Sequence, residues 1–495
     1  MELTLKPKAS LKRLDTEVLV LPVVDDSVEK VLEVEDLKEY SHLIRYVLLS
    51  GEFKKGDGDA CLIHNTASGI KRILLVDLGI TKERHPEEWL LKEDLRRAGG
   101  KAARYLRGKD LKEISICCDF LPSLSPDTKP VFFYFVEGFL LSLYRFDSFK
   151  TKKEETSIKK INIVDPNARD YINRLNSIYS SSNMIRDLIN SPSNRITPRY
   201  LLDVAKSIKS PKVNVRALNF KLIQKEGMNG ILSVAQGSIE PPYLIVIEYN
   251  TKKDTSPILI IGKTVTFDSG GISIKPSEGL ERMKYDMAGG AVVLGIMRCL
   301  VDLDARCSVV GILPAVENMP GGKAYKPGDI IKMMNGKTVE IITTDAEGRL
   351  TLADAITYGK KYYKPSTIID IATLTGACAI TFGNDVIGMM GTDEEMMKSL
   401  YSAGQEAYEM VWEMPLYREY GEYIKGDFGD IKNSGGRNGA MLTAGYFLKE
   451  FAEETPWVHL DIASTAWLEK DKPYLNKGAS GSGLRLLLEM LMKHV

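Results

Sequence analysis

Histidine is nearly absent from this 495-residue chain: there are five, and after residue 190 only His459 and His494. No H-E-x-x-H occurs, which removes a histidine-based zinc protease, and no G-x-S-x-G elbow is present to join His459 in a Ser-His-Asp triad. His459 lies in the apolar run "WVHLDIA" and reads as a core residue rather than a ligand. If a metal is bound, oxygen ligands must do most of the work. Cysteine is also sparse. The six are scattered (Cys61, Cys117, Cys118, Cys299, Cys307, Cys378) with no C-x-x-C, so zinc-finger spacing is missing and a reducing cytoplasm is the expected compartment. Excess charge of either sign is lacking, with 66 basic and 66 acidic residues. That balance gives no support for nucleic acid or an anionic membrane as the main partner. Long apolar runs are missing too. The start, "MELTLKPKAS", has no signal-peptide core. The most apolar stretch, "VFFYFVEGFLLSLY", holds Glu137 and falls short of the about 20 residues a membrane span needs, so it reads as a buried helix.

What is present is alternation of strand and helix patterns. "VLVLPVV" (Val18 to Val24), "RILLVDLG" (Arg72 to Gly79) and "EISICCDF" (Glu113 to Phe120) predict buried strands, with a helix over "WLLKEDLRRAGGKAARYLR". "TKKEETSIKK" (Thr151 to Lys160) reads as a solvated loop before a short strand, "INIV". Asp165-Pro166 then suits an N-cap and first helical position. Ile172, Leu175, Ile178, Ile185 and Leu188 keep a helical period until Pro192. This predicts an N-terminal α/β domain over 1–164, a linking helix over 165–190, and a larger α/β domain over 191–495. In the latter, "YLIVIEY", "PILIIGK", "SVVGILPAV", "TIIDIATL" and "WVHLDIA" predict strands of a mainly parallel sheet, with helices between them, notably around Gly279 to Val301.

"TTDAEGRLTLADA" (Thr343 to Ala355) places Asp345 and Glu347 one residue apart. The preceding "TVEIIT" reads as a strand and the following Leu350, Leu352, Ala353, Ile356 and Tyr358 as a helix face. Both acids would then leave a strand's C-terminal end, where open α/β sheets place their sites. In an extended stretch, i and i+2 point the same way, so both carboxylates would face one point. The plainer alternative is a helix N-terminus where acids offset the dipole. "IGKTVTFDSGGISIKP" carries Lys263, Asp268 and Lys275 around a Ser-Gly-Gly turn, with neither Walker nor G-x-G-x-x-G spacing. "MKYDMAGGA" places Asp286 in an otherwise apolar helix, which is costly unless the acid faces solvent or finds a counter-charge. Four converging carboxylates would repel one another. Two divalent cations about 3.5–4 Å apart would neutralise them.

Taken together, "TDAEGRL", "GKTVTFDSGGISIKP", "DMAGGA", "RDLINSPSNRITP" and "ENMPGGKAYKPGD" resemble the leucyl aminopeptidase family of dinuclear metallopeptidases, from about Arg186 to the end of the chain. Two positions depart from the family pattern: Thr343 stands where an Asn is usual, and Thr264 where a Gly follows the metal-binding lysine. The resemblance implies that Asp268 and Glu347 bridge two ions, Mn²⁺ or Zn²⁺. Asp345 completes one site, and Lys263 with Asp286 the other. It makes Lys275 and Arg349 catalytic, and Met283, Thr373, Gly376, Ala463 and Ala466 the lining for a neutral, apolar N-terminal residue of a peptide. It further implies a homohexamer, and bicarbonate held by Arg349 as the general base, since every acid is committed to metal.

Three other readings stay open. A two-metal phosphoesterase could use the same acids, and some relatives of this family bind DNA. The N-terminal domain has a macro-like fold in the family, so it could bind a nucleotide or ADP-ribose. No phosphate-loop motif supports that last reading, and the domain is taken as structural.

Overall fold

The computed structural model describes residues 4–493 apart from 9–10, 12–13, 25–31, 33–34, 54–58, 66–68, 80–86, 119–128, 154–156, 166 and 251–255. The chain divides into two compact α/β units: Met1–Ser180 with Lys470–Lys477, and Ser181–Glu469 with Gly478–Val495. The division falls inside the helix Ala168–Asn190, and a short segment near the C-terminus returns to the first unit.

Among the described residues the first unit holds six strands: β1 (Thr4–Lys8), β2 (Val18–Val23), β3 (Ala60–His64), β4 (Arg72–Asp77), β5 (Glu113–Cys117) and β6 (Lys160–Val164). They lie in the order β1-β6-β5-β2-β4-β3, all parallel to their neighbours except β3. Every side chain of β2 is buried, as a parallel strand covered on both faces requires. Sequence pattern anticipates β2, β4, β5 and β6 but misses β1 and β3, whose alternation is weak; Phe120, at the end of the third predicted strand, and Pro166 lie outside the described residues.

Two helices of this unit, Glu88–Leu106 and Val131–Ser142, cross closely. A Cβ at Gly99 would stand 1.9 Å from Phe135 O, and one at Gly138 2.0 Å from Arg96 O. Glycine lets the two backbones touch there. Glu137, the one acid of the apolar run, is buried against Arg96, whose guanidinium also lies 5.0 Å from the centre of the Tyr134 ring. The charge is tolerated because it is paired.

The second unit is built on a nine-stranded sheet. Its strands are β7 (Val213–Leu218), β8 (Tyr243–Tyr249), β9 (Ile258–Gly262), β10 (Thr264–Asp268), β11 (Val309–Asn318), β14 (Thr367–Ala372), β15 (Ile387–Gly391), β16 (Val411–Glu413) and β18 (Trp457–Asp461). The order is β16-β15-β18-β14-β9-β11-β8-β7, with β10 paired to β11. The central run β18-β14-β9-β11 is parallel, and antiparallel pairs occur only towards the two edges. From β9 the chain passes through the helix Ala288–Asp302 to β11 on one side. It then returns through the helix Glu347–Tyr363 to β14 on the other. Right-handed crossovers in opposite directions put the two helices on opposite faces and open a crevice at the C-terminal ends of β9 and β14.

A separate three-stranded sheet contains β12 (Ile330–Lys332), β13 (Thr338–Glu340) and β17 (Ile431–Lys432). This corrects one expectation. The strand before Asp345 is β13; it ends at Glu340 and belongs to this small sheet, not to the central one. No described helix is long and apolar enough to cross a membrane.

Candidate metal centre

The crevice gathers residues from four places in the chain. Lys263 follows the end of β9, and its side chain is 4 % exposed. Its ammonium lies 2.7 Å from Asp286 Oδ1, 2.9 Å from Glu347 Oε1 and 3.0 Å from the carbonyl oxygen of Thr373, just beyond β14. Asp268 ends β10. Its Oδ1 accepts hydrogen bonds from Gly270 N (2.9 Å) and Asn318 Nδ2 (2.8 Å), while Oδ2 lies 2.8 Å from Lys275 Nζ.

Asp286 is not inside a helix. It sits in the break between a 3-10 turn, Leu280–Tyr285, and the helix beginning at Ala288. Nor does it face solvent: it is buried, and Thr373 Oγ1 donates to its Oδ1 at 2.7 Å. Glu347 is the first residue of the helix Glu347–Tyr363 and is 1 % exposed. One oxygen from each of Asp268, Asp286 and Glu347 falls within a 4.8 Å cluster.

Asp345 relates to this cluster differently from the sequence expectation. Thr344 and Asp345 form a turn rather than an extended stretch, so the i, i+2 argument does not apply. The Asp345 side chain is 39 % exposed and lies outside the three-acid cluster, but it pairs with Lys275, which also holds Asp268. Lys275 therefore joins Asp345 to the buried acids.

Electrostatics here is a contest between burial and pairing. Burial, with the neighbouring acids, raises the pKa of Asp268 above the usual range, against the pull of Lys275 and Lys263. Burial raises Asp286 well above it. Burial disfavours the Lys263 ammonium, yet Asp286, Glu347 and Asp268 outweigh it and raise its pKa. The same balance raises Lys275. Two side-chain oxygens, Asp286 Oδ2 and Glu347 Oε2, are buried with no directed hydrogen bond, although Oδ2 stands 2.7 Å from Lys263 Nζ.

Arg349 lies one helical step beyond Gly348 and is buried. Nη1 donates to the backbone carbonyl of Asn433 at 2.8 Å, and Nε is buried without a partner. Burial lowers its pKa to about 10, against the pull of Glu347, Asp461 and Asp345. Among the described residues, no carboxylate accepts a hydrogen bond from it.

The two unusual threonines fit. Thr264 packs where a Cβ on Gly290 would stand 2.3 Å from its Oγ1, so the glycine of the neighbouring helix leaves the room it needs. Thr343 Oγ1 accepts from Asp345 N at 3.2 Å. Among the lining candidates, Thr373 and Ala466 are buried, Met283 and Ala463 are half-buried, and Gly376 is exposed at the start of the helix Gly376–Phe382. His459 is fully buried, with Nδ1 2.6 Å from Asp370 Oδ1.

Two asparagines escape the sequence reading. Asn318 Nδ2 bridges Asp268 Oδ1 and the Thr344 carbonyl (3.0 Å). It stands in the quoted "ENMPGGKAYKPGD", which could have flagged it. Asn433 carries no such signal.

Comparison with known proteins now adds independent weight. Residues 183–488 match the model of the cytosol aminopeptidase family, catalytic domain, and residues 20–153 match that family's N-terminal domain. A probable cytosol aminopeptidase of Geotalea uraniireducens is 44 % identical, with 85 % of each chain covered. One of Solibacter usitatus is 40 % identical over 99 % of each chain. Among solved structures, a mutant of tomato leucine aminopeptidase superposes with a TM-score of 0.84 at 27 % identity, covering 99 % of this chain and 97 % of its own. The bottromycin maturation enzyme BotP in complex with Mn gives 0.80 at 25 % identity, covering 97 % and 99 %.

Proposed function

The chain belongs to the cytosol aminopeptidase family and is a metal-dependent aminopeptidase, and from that premise we propose that it holds two divalent ions and removes a neutral, apolar residue such as Leu or Met from the N-terminus of peptides. The observation that carries the reading is the convergence of Asp268, Asp286 and Glu347, all buried, within 4.8 Å. With Asp345 they outnumber the two ammonium groups beside them. Glu347 Oε2 is buried without a partner, which is costly unless a cation or donor meets it. The donor set fits hard or borderline dications.

Asp268 and Glu347 would bridge the pair of ions, with Asp345 on one side and Lys263 and Asp286 on the other. When bound, the ions would supply Lewis acidity and a water of lowered pKa. Lys275 would donate a hydrogen bond to the oxyanion that develops on the scissile carbonyl. Arg349 would hold bicarbonate in its planar fork, and the anion would supply the proton acceptor that carboxylates committed to metal cannot. Met283, Thr373, Gly376, Ala463 and Ala466 would receive the N-terminal side chain; all are small or apolar, which suits a neutral residue.

The name shared by the curated relatives supports a cytoplasmic location. The manganese complex of BotP makes Mn²⁺ a first candidate beside Zn²⁺. A homohexamer is the assembly proposed, and light scattering that returns a monomer under active conditions would remove it. The deciding experiment measures hydrolysis of leucyl amide and of a phosphate monoester, before and after chelation. Metal-dependent release of leucine supports the reading; metal-dependent phosphate release in its place would give the site to a phosphoesterase.

A further inference from the structure

Asn433 binds the segment that leads into Asp345 and the Arg349 side chain, yet it comes from a distant part of the chain. It follows β17, which runs parallel to β13 with Glu340 opposite Lys432. Its own N–H continues that ladder, donating to Glu340 O at 2.9 Å. There the two backbones part: β13 turns away towards Asp345, and the other chain runs on to Ser434. The Asn433 side chain fills the gap as a substitute rung. Oδ1 accepts from Ile342 N at 2.8 Å, and Nδ2 donates to Thr343 O at 2.6 Å. A primary amide is the group that offers one donor and one acceptor at that spacing. On its main chain, the Asn433 carbonyl accepts from Arg349 Nη1 at 2.8 Å. The residue is completely buried.

We infer that Asn433 is a positioning residue: the bonds from its side chain to Ile342 and Thr343 hold its carbonyl in place, and that carbonyl aims the Arg349 guanidinium. This rests on the reading of Arg349 given above. The anchored Nη1 sets the direction of the fork and leaves Nε, which has no partner, for a ligand. Without the amide, Ile342 N and Thr343 O lose their partners and the carbonyl is free to shift. A misplacement of ~1 Å can cost ~10²-fold in rate.

The test uses the metal-loaded enzyme with leucyl amide and a bicarbonate titration. Asn433→Ala removes the amide. Asn433→Asp keeps its shape and the acceptor but loses the donor, and so serves if the alanine variant does not fold. The expected result is wild-type metal content, KM near wild type, kcat lowered by roughly 10- to 100-fold and a blunted bicarbonate response. In an Arg349→Ala background the same substitutions should cost less than about twofold more, because residues acting through one another are not additive. Equal losses in both backgrounds, or an unchanged kcat, would overturn the inference. A different failure is separable: Arg349→Ala turning over and responding to bicarbonate like wild type would overturn the reading of Arg349 itself, and the positioning role with it.

Discussion

Gly348 and Lys263 share a space that only one of them can fill: a Cβ at 348 would stand 2.4 Å from Lys263 Cε and 2.8 Å from Nζ. The lysine cannot move aside freely, since Asp286, Glu347 and Thr373 hold its far end. Gly348→Ala should favour the helix by about 1 kcal/mol in propensity. We expect metal affinity nonetheless to fall, by about tenfold or more, as happens when a ligand's supports are disturbed. Isothermal titration with Mn²⁺ checks this, and undiminished affinity would show that the side chain finds another route.

Removing single acids should separate the two ions. Asp268→Ala and Glu347→Ala should lose both, whereas Asp286→Ala should mainly weaken one. Metal content per chain by inductively coupled plasma mass spectrometry reads the outcome. Equal loss from all three variants would contradict the bridging assignment.

Lys263→Arg probes whether the lysine coordinates. The ammonium is an ion-pair partner of Asp286 and Glu347. A guanidinium could keep that pairing but stays charged and cannot become a ligand. The variant should bind metal at least about tenfold more weakly. Normal metal affinity would leave Lys263 a counter-ion only.

Arg349 gives a prediction on rate. In carbonate-depleted buffer, added bicarbonate should accelerate the wild-type enzyme. Arg349→Ala should be slower by roughly 10²-fold, the lower range for general acid–base assistance, and indifferent to the anion. A wild-type rate that ignores bicarbonate would assign the proton transfer to another group.

Away from the crevice, Asp354 should make stability depend on pH. It is fully buried and accepts from Ile231 N and Met334 N at 3.1 and 3.0 Å, yet burial pushes its pKa up to about 7. Its unfolded value is near 3.9. Between these values the folded state binds the extra proton, so stability falls as pH rises through the window and levels off above about 7. Relative to Asp354→Asn, the wild type should lose up to about 4 kcal/mol between pH 4 and 7, the equivalent of three pKa units. Urea unfolding of both proteins across that range measures the difference; a flat difference would mean that the two N–H donors hold the carboxylate at an ordinary pKa.

Much of the centre is legible in sequence because its residues stand in local motifs. Lys263, Asp268 and Lys275 lie within one strand and its turn, and Glu347 and Arg349 within one helical turn. Side-chain type and spacing are enough to nominate them, and the run of buried β-branched strands is enough to set a parallel α/β unit. Long-range geometry is not encoded that way. Only the tertiary structure decides that Asp286 sits in a helix break under Thr373, because the counter-charge that permits its burial comes from Lys263, 23 positions earlier. Only the fold attaches the strand before Asp345 to a separate small sheet, since β13 takes its register from β17, far along the chain. Asn433 was invisible for the same reason: an amide is a common, neutral side chain, and its role exists only where two backbones diverge and leave one donor and one acceptor to satisfy.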